Sequence, residues 1–245
     1  MQTLEKISDF TKKVGSLLVP YRCPGCGRLG DSFLCGECEK RIRRIEDPFC
    51  DRCGRLLPPG VSETADCREC RAAAPPYDIA RSVFRYEAPV DDIIKKFKFG
   101  RNFTAGRWLG GTARDLAGAG FKSSRVYQSA DAIVPVPLHP FRFISRGFNQ
   151  SDYLARFFSE LWEIPIAKCM VRKRHTRQQA MLSYGERIKN VSGAFAVKND
   201  SIVKDGKLIL FDDVMTTGAT VKECAKILVE AGAMEVYVFT VARRP

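Results

Sequence analysis

The stretch Lys207-Leu-Ile-Leu-Phe-Asp-Asp-Val-Met-Thr-Thr-Gly-Ala-Thr220 decides the fold. Its four apolar residues, Leu208 to Phe211, predict a buried strand of a parallel sheet. Two adjacent carboxylates, Asp212 and Asp213, follow at the carboxyl end of that strand, and the residues after them turn the chain into an amphipathic helix. Ligands of open α/β sheets bind outside the carboxyl ends of the strands, so the stretch predicts both a fold class and a binding site.

The same stretch has the donors and acceptors that a ribose 5-phosphate needs. Backbone N–H groups at a helix N-terminus attract phosphate, threonine hydroxyls add donors, and a glycine lets the backbone approach closely. Paired carboxylates can accept hydrogen bonds from two vicinal ribose hydroxyls, or steer a magnesium ion bound to them. We therefore predict that a phosphate loop follows the acid pair Asp212 and Asp213. The alternative is that the two acids form a solvated turn before a threonine-capped helix. The phosphate loop consists of Thr216, Thr217, Gly218, Ala219 and Thr220.

The composition fits a globular protein that binds anions. At 245 residues, with 45% hydrophobic and 28% charged residues, the chain has room for one domain with a real core and a small module. The net charge is +12, and residues 77–245 hold 27 Lys and Arg against 17 Asp and Glu. This excess suits a phosphorylated ligand or nucleic acid. No run of about 18 apolar residues is present, so we expect no membrane insertion.

Residues 1–22 predict an amphipathic helix that packs on the body of the protein. Acidic side chains within it and the lack of a small-residue cleavage site argue against a secretion signal. We therefore expect a cytoplasmic protein.

Eight of the ten cysteines form four Cys-x-x-Cys pairs, and two such knuckles complete a closed, tetrahedral four-thiolate zinc site. We predict two structural zinc ions, held most simply by the first two pairs and the last two. Crossed pairing, first with third and second with fourth, is the alternative, and spacing alone leaves iron–sulfur ligation open. A disulfide framework lacks a supporting export signal. The pairs are Cys23/Cys26, Cys35/Cys38, Cys50/Cys53 and Cys67/Cys70; the remaining Cys169 and Cys224 are expected in the core.

After a linker at residues 71–76, strand and helix patterns alternate. This order predicts an α/β sheet, mostly parallel, with right-handed crossovers. The predicted strands are residues 82–86, 131–136, 167–171, 193–197, 208–211 and 236–241. The predicted helices are residues 90–98, 150–163, 219–230 and one within 104–117.

Two basic segments accompany the predicted site. The first, residues 134–150, is a proline-rich loop in which Arg142 and Arg146 suit phosphate oxygens, because a guanidinium can contact two oxygens at once. The second, residues 172–190, holds six Lys and Arg against one acid, including Arg172 and Lys173. It predicts a basic lid over a pyrophosphate group. Solvated arginines in the first segment, and a solvated loop or nucleic-acid contact in the second, are the alternatives.

Four features together resemble the ComF family, of the ComFC/GntX-like type. They are the four cysteine pairs, Pro-Val-Pro-Leu-His-Pro with Arg-Gly-Phe-Asn-Gln, Thr-Arg-Gln-Gln with Glu-Arg-x-x-Asn-Val, and the acid-pair stretch. The resemblance runs from about Cys23 to Arg243. It implies a double zinc ribbon at residues 23–76 and a type I phosphoribosyltransferase-like fold at residues 77–245. Members of the family are associated with natural competence and with the handling of imported single-stranded DNA.

The resemblance also implies a ligand and residue roles. The ligand is phosphoribosyl pyrophosphate (PRPP) with magnesium. Asp212 and Asp213 would hold the ribose diol, and the phosphate loop would hold the 5-phosphate. Residues 135–142 would form the pyrophosphate loop, and residues 172–189 the flexible lid.

Two functional hypotheses follow. The first is an enzyme that transfers the phosphoribosyl group of PRPP to a nitrogen nucleophile, with Arg142, Arg172 and Lys173 neutralising the leaving pyrophosphate. The second is a non-catalytic protein that senses PRPP or a nucleotide, binds single-stranded DNA and acts as an adaptor for a DNA-uptake helicase. Its stacking residues would be Phe141, Phe143 and Phe148. No motif names the acceptor of the first hypothesis.

Overall fold

In the cysteine-rich module at residues 23–76, the regular elements among the described residues are all short. The computed structural model describes residues 21–61, 65–119, 124–176, 183–198 and 201–245. Strands β1 (Tyr21–Arg22) and β2 (Leu29–Gly30) pair antiparallel, and helices α1 (Gly36–Lys40) and α2 (Arg68–Ala72) each begin directly after a cysteine. The predicted helix at residues 1–22 lies outside the described residues, except for its last two, which form β1.

A four-stranded parallel sheet forms the body, as predicted. In spatial order its strands are β3 (Ile79–Arg85), β8 (Glu235–Arg243), β7 (Lys207–Met215) and β4 (Ala132–Pro135). The central strands β7 and β8 are buried along nearly their whole length, because helices cover both faces of the sheet. Pro135 lies opposite Phe211, so the segment after β4 starts beside the acid pair.

In the part of the chain that the structure describes, four helices cover one face of this sheet and one helix covers the other. The first group consists of α3 (Val90–Gly100), α4 (Phe103–Gly118), α5 (Ser124–Gln128) and α7 (Gln150–Trp162). Helix α9 (Ala219–Glu230) packs on the opposite face. Helices α4 and α7 pack closely because Gly110 has no side chain: a β-carbon there would lie 2.4 Å from the Phe157 ring. Among the described residues, no helix combines the length and hydropathy that a membrane span requires.

Two further strands and two further helices complete the described part of the chain. Strands β5 (Met170–Arg172) and β6 (Phe195–Val197) form an antiparallel pair, shorter than the predicted strands 167–171 and 193–197. Helix α6 (Pro140–Arg146) follows β4, and helix α8 (Tyr184–Val191) precedes β6.

Three sequence predictions need correction. Strand β7 does not end at Phe211: Asp212 and Val214 still pair with β8, so the acid pair lies within the strand rather than after it. The proline-rich segment is not only a loop, because Pro140 begins α6 and the His139 side chain caps it by accepting from the Phe141 N–H. The lid segment contains α8, which starts at a capping box, while residues 177–182 lie outside the described residues.

Candidate functional site

The acid pair is buried and held from two helices. Asp212 and Asp213 retain only 8% and 2% of their accessible surface. Ser151, at the start of α7, donates its hydroxyl hydrogen to Asp212 Oδ1 over 2.8 Å. Lys98, near the end of α3, forms an ion pair with Asp213 Oδ2. Both carboxylates are therefore fixed in place before any ligand arrives.

This burial changes the acidity of Asp212. Burial, and next the negative charge of Asp213, raise the pKa of Asp212 from its ordinary value of 3.8 to about 7. The Lys98 ammonium and the Ser151 hydroxyl oppose the rise without cancelling it. Strongly shifted carboxyl groups of this kind concentrate at functional sites, because stability alone would favour an apolar residue.

The phosphate loop joins β7 to α9, and its glycine has a left-handed backbone conformation. Gly218 has φ +76° and is the N-cap of α9, a conformation that L side chains rarely adopt. The Thr217 hydroxyl accepts from the Ala219 N–H, and Arg187 of α8 donates to the Thr216 hydroxyl over 3.3 Å. The predicted loop residues thus lie together at a helix N-terminus, where the helix dipole favours an anion.

Arg142 and Arg172, assigned to the pyrophosphate by sequence, converge on one residue. Arg142 Nη2 donates to the Thr176 carbonyl over 2.7 Å, and Arg172 Nη2 donates to the Thr176 hydroxyl. Arg172 is buried and its guanidinium lies over the Phe195 ring. Burial and the Arg142 charge lower the pKa of Arg172 to about 10. Arg172 is therefore a packed residue beside the site. Lys173, in contrast, is exposed and faces solvent.

Arg146 belongs to the surroundings of the acid pair. Its Nη1 donates to Gln150 Oε1 over 2.6 Å, and its guanidinium carbon lies 5.2 Å from the centroid of the Phe99 ring. Burial lowers the pKa of Arg146, and the charges of Asp213 and Asp212 work against that decrease. The sequence predicted Arg146 but missed Lys98, Ser151 and Arg187.

The eight paired cysteines form two separate groups of four. The groups follow chain order, with Cys23, Cys26, Cys35 and Cys38 in one and Cys50, Cys53, Cys67 and Cys70 in the other, and within each the sulfur atoms all lie within 4.8 Å of one another. This is the simpler of the two predicted pairings, and the crossed pairing is wrong. Cys169 and Cys224 are buried core residues, as expected.

The second group has the surroundings of a thiolate site. The backbone N–H groups of Cys53 and Cys67 donate to Cys50 Sγ over 3.4 and 3.2 Å. The hydrogen bond from the Cys53 thiol, followed by these N–H groups and opposed by burial, lowers the pKa of Cys50 to about 4. Four sulfur donors at this spacing fit tetrahedral zinc and leave no open coordination position.

Comparisons with known proteins agree with this architecture. The double zinc ribbon domain family matches residues 14–71. Competence protein F of Haemophilus influenzae is 34% identical over 232 residues, which cover 91% of this chain and 97% of that protein. DNA utilization protein YhgH of Escherichia coli K12 is 32% identical over 236 residues, 93% and 99% of the two chains. Competence protein ComFC of Streptococcus pneumoniae is 29% identical over 220 residues, 88% and 90% of the two.

The fold and the cysteine groups define an α/β protein with a four-stranded parallel sheet and an N-terminal double zinc ribbon. The chain belongs to the ComF family of competence proteins, as its motifs predicted. Among solved structures, it is similar to glutamine PRPP amidotransferase from B. subtilis (TM-score 0.38, 20% identity, 56% of this chain and 26% of that one). It is also similar to purine phosphoribosyltransferase from Pyrococcus horikoshii (TM-score 0.34, 19% identity, 56% and 84%).

Proposed function

We propose that this protein binds PRPP with magnesium at the carboxyl end of β7. The observation that carries the proposal is a buried acid pair, in which the pKa of Asp212 is raised to about 7, followed along the chain by a glycine-capped helix N-terminus. Asp212 and Asp213 accept the two ribose hydroxyls, and the phosphate loop holds the 5-phosphate. Lys98 and Arg146 offset the acid pair, so that a ligand with several phosphates meets a site without net negative charge.

We further propose that the bound PRPP reacts with a nitrogen nucleophile. Magnesium bound with PRPP would neutralise pyrophosphate oxygens and so improve the leaving group. The protein's part is to orient the ribose through the acid pair and to place cations near the pyrophosphate. Arg142 lies on α6 after β4, and Arg187 on α8 already reaches the phosphate loop. Positioning and charge stabilisation suffice for this chemistry, and no protein nucleophile is required.

Calorimetry tests the binding proposal. Mg²⁺–PRPP is titrated into zinc-replete wild type, into Asp212→Asn/Asp213→Asn, and into Asp115→Asn as a matched control in an exposed acid. We expect saturable binding that the double variant weakens by roughly 100-fold or more, because two charged hydrogen-bond acceptors are lost. The control should bind as wild type does. Equal affinity in the double variant would remove the acid pair from the site.

A pyrophosphate-release assay tests catalysis separately. A panel of amines and nitrogen heterocycles is incubated with Mg²⁺–PRPP and the protein. We expect pyrophosphate release with at least one acceptor, and its loss in Asp213→Asn. PRPP binding without release for every acceptor would favour the sensing function over transfer.

Single-stranded DNA binding is the second candidate function, and one surface favours it. Phe141 and Phe143 on α6 are 68% and 50% exposed, and Arg142 lies between them in the sequence. Exposed rings next to cations are the combination on which the bases of single strands stack. Phe148 is partly buried and packs against the core, so it is not part of this exposed surface. The relatives' names, which refer to competence and DNA utilization, support a role in handling DNA. A location in the cytoplasm and a DNA-translocating partner are further parts of this proposal.

Fluorescence anisotropy with a labelled oligothymidylate tests this surface. Phe141→Ala/Phe143→Ala should weaken binding by about 10-fold or more, because each lost base stack is worth roughly 1–3 kcal/mol. Met234→Ala, a change in an equally exposed side chain before β8, is the control. Lys173→Ala should reduce the salt dependence of binding. Unchanged affinity in the double phenylalanine variant would exclude α6 as the stacking surface.

A further inference from the structure

The second cysteine group packs directly against strand β3 of the parallel sheet. The Ala80 N–H of β3 donates to the Arg52 carbonyl over 2.7 Å, and the buried Arg81 donates to the Asp51 carbonyl over 2.6 Å. Gly54 completes the contact, because a β-carbon there would lie 2.5 Å from the Ala80 carbonyl oxygen. The knuckle between Cys50 and Cys53 thus rests directly on β3.

A single buried guanidinium extends this contact toward the phosphate loop. Arg243, the last residue of β8, is 2% exposed, and its Nη1 donates to the carbonyl oxygen of Cys53. The same nitrogen lies 3.5 Å from the sulfur of Met215, the last residue of β7. The next N–H along the chain, that of Arg244, donates to the Met215 carbonyl over 3.0 Å. Both the side chain and the backbone carbonyl of Met215 therefore contact the end of β8.

Met215 in turn supports the glycine of the phosphate loop. Its side chain is buried, and a β-carbon at Gly218 would lie 2.8 Å from Met215 Cε. A continuous set of contacts therefore runs from Cys53 through Arg243 and Met215 to Gly218. The first cysteine group takes another route: the Pro24 carbonyl accepts from Lys96 of α3.

We propose that Arg243 is a positioning residue that couples the second zinc site to the phosphate loop. With zinc bound, the knuckle fixes the Cys53 carbonyl, this holds Arg243, and Met215 keeps Gly218 in its left-handed conformation. Coupling between two sites is reciprocal, so a ligand in the phosphate loop must also stabilise zinc in the second site. This inference rests on the proposed phosphoribosyl site and adds that zinc occupancy regulates that site.

Zinc release from the full-length protein tests the coupling without any assay of catalysis. A chromogenic chelator removes zinc in the presence and absence of ribose 5-phosphate, whose binding is measured in parallel by calorimetry. We expect the affinity for one of the two zinc ions, measured by equilibrium competition with the chelator, to increase by roughly 5-fold or more, which is the lower end of typical coupling between two sites. Cys26→Ser, which removes a ligand of the first site, should keep the protected ion.

Two buried arginines provide a matched pair of variants. Arg243→Met should retain two zinc ions, weaken ribose 5-phosphate binding and abolish the protection. Arg81 is also buried and contacts the same knuckle, but it does not contact Met215. Arg81→Met should therefore leave the protection of zinc by ribose 5-phosphate in place, even if the variant binds zinc less tightly. Arg243→Lys should restore part of the protection, because it retains a cation at the same position.

The outcomes separate this inference from the function on which it rests. Ribose 5-phosphate binding without protection of either zinc ion, or with equal protection of both, would overturn the coupling and leave the phosphoribosyl site standing. Protection that survives in Arg243→Met would overturn the role of Arg243. Failure of the wild type to bind either ribose 5-phosphate or PRPP would overturn both proposals.

Discussion

Asp212→Asn should make the stability of this protein less dependent on pH. The asparagine keeps an Oδ1 acceptor for the Ser151 hydroxyl and for the Asp213 N–H, so the change removes a titratable proton with little loss of hydrogen bonding. Because the pKa of Asp212 is raised in the folded state, proton binding stabilises the fold fully only below the ordinary value of 3.8. That stability is lost as the pH rises through about 7.

The size of the effect follows from this pKa. At pH 6, proton binding by Asp212 contributes roughly 1 kcal/mol to the free energy of unfolding, and at pH 8 almost nothing. The variant carries no such contribution. The stability of Asp212→Asn relative to wild type should therefore increase by roughly 1 kcal/mol between pH 6 and pH 8.

Urea unfolding of ligand-free, zinc-replete protein at half-unit pH intervals measures this difference. Effects of pH on the zinc ribbon are common to both proteins and cancel in the comparison. Asp115→Asn, at an exposed acid, should show a constant difference from wild type across the same range. A constant difference for Asp212→Asn as well would refute the reasoning, because it would mean that burial does not raise the pKa of Asp212.

Three further predictions concern the loop, the ion pair and the metal. Gly218→Ala should lower the free energy of unfolding by about 1–3 kcal/mol in urea, because φ is +76° and the new carbon meets Met215; Gly60→Ala, with φ +85° in open space, should lose less. Lys98→Met should destabilise the fold by about 3 kcal/mol, since buried Asp213 loses its cation. Lys98→Met should also raise the pKa of Asp212, and so the pH at which the stability contribution of Asp212 protonation is half lost. An unchanged midpoint pH would count against the ion pair. Metal analysis of Cys26→Ser and Cys50→Ser should give about one zinc ion per chain in each, because the two sites are separate; loss of both ions in either variant would contradict that.

Local patterns in the sequence predicted much of the fold. The helix at residues 219–230 has the predicted bounds, because a positive-φ glycine precedes it and an apolar stripe fills it. The cysteine groups follow from the two-residue spacing within each pair. Four core strands were predicted, but the end of β7 was not. Asp212 is a poor strand residue by local preference, and pairing with β8 keeps it in the strand.

The site was predicted less completely, because its contacts join distant parts of the chain. Asp212 meets Ser151 across 61 positions, and Lys98 reaches Asp213 only once α3 is packed against the sheet. Lys98 lies at the end of the predicted helix 90–98, and sequence alone does not distinguish it from the many lysines that are solvated. The burial of Arg172 over Phe195 depends on the pairing of β5 with β6, which no local pattern specifies. Charge counts therefore indicated a basic lid but not which of its cations face the ligand.

A crystal structure of the zinc-loaded protein with Mg²⁺–PRPP tests the central claim most directly. The account predicts the 5-phosphate within hydrogen-bond distance of the backbone N–H groups of residues 216–220. It also predicts the two ribose hydroxyls on the carboxylates of Asp212 and Asp213. PRPP bound elsewhere, or with its ribose away from the acid pair, would contradict the account.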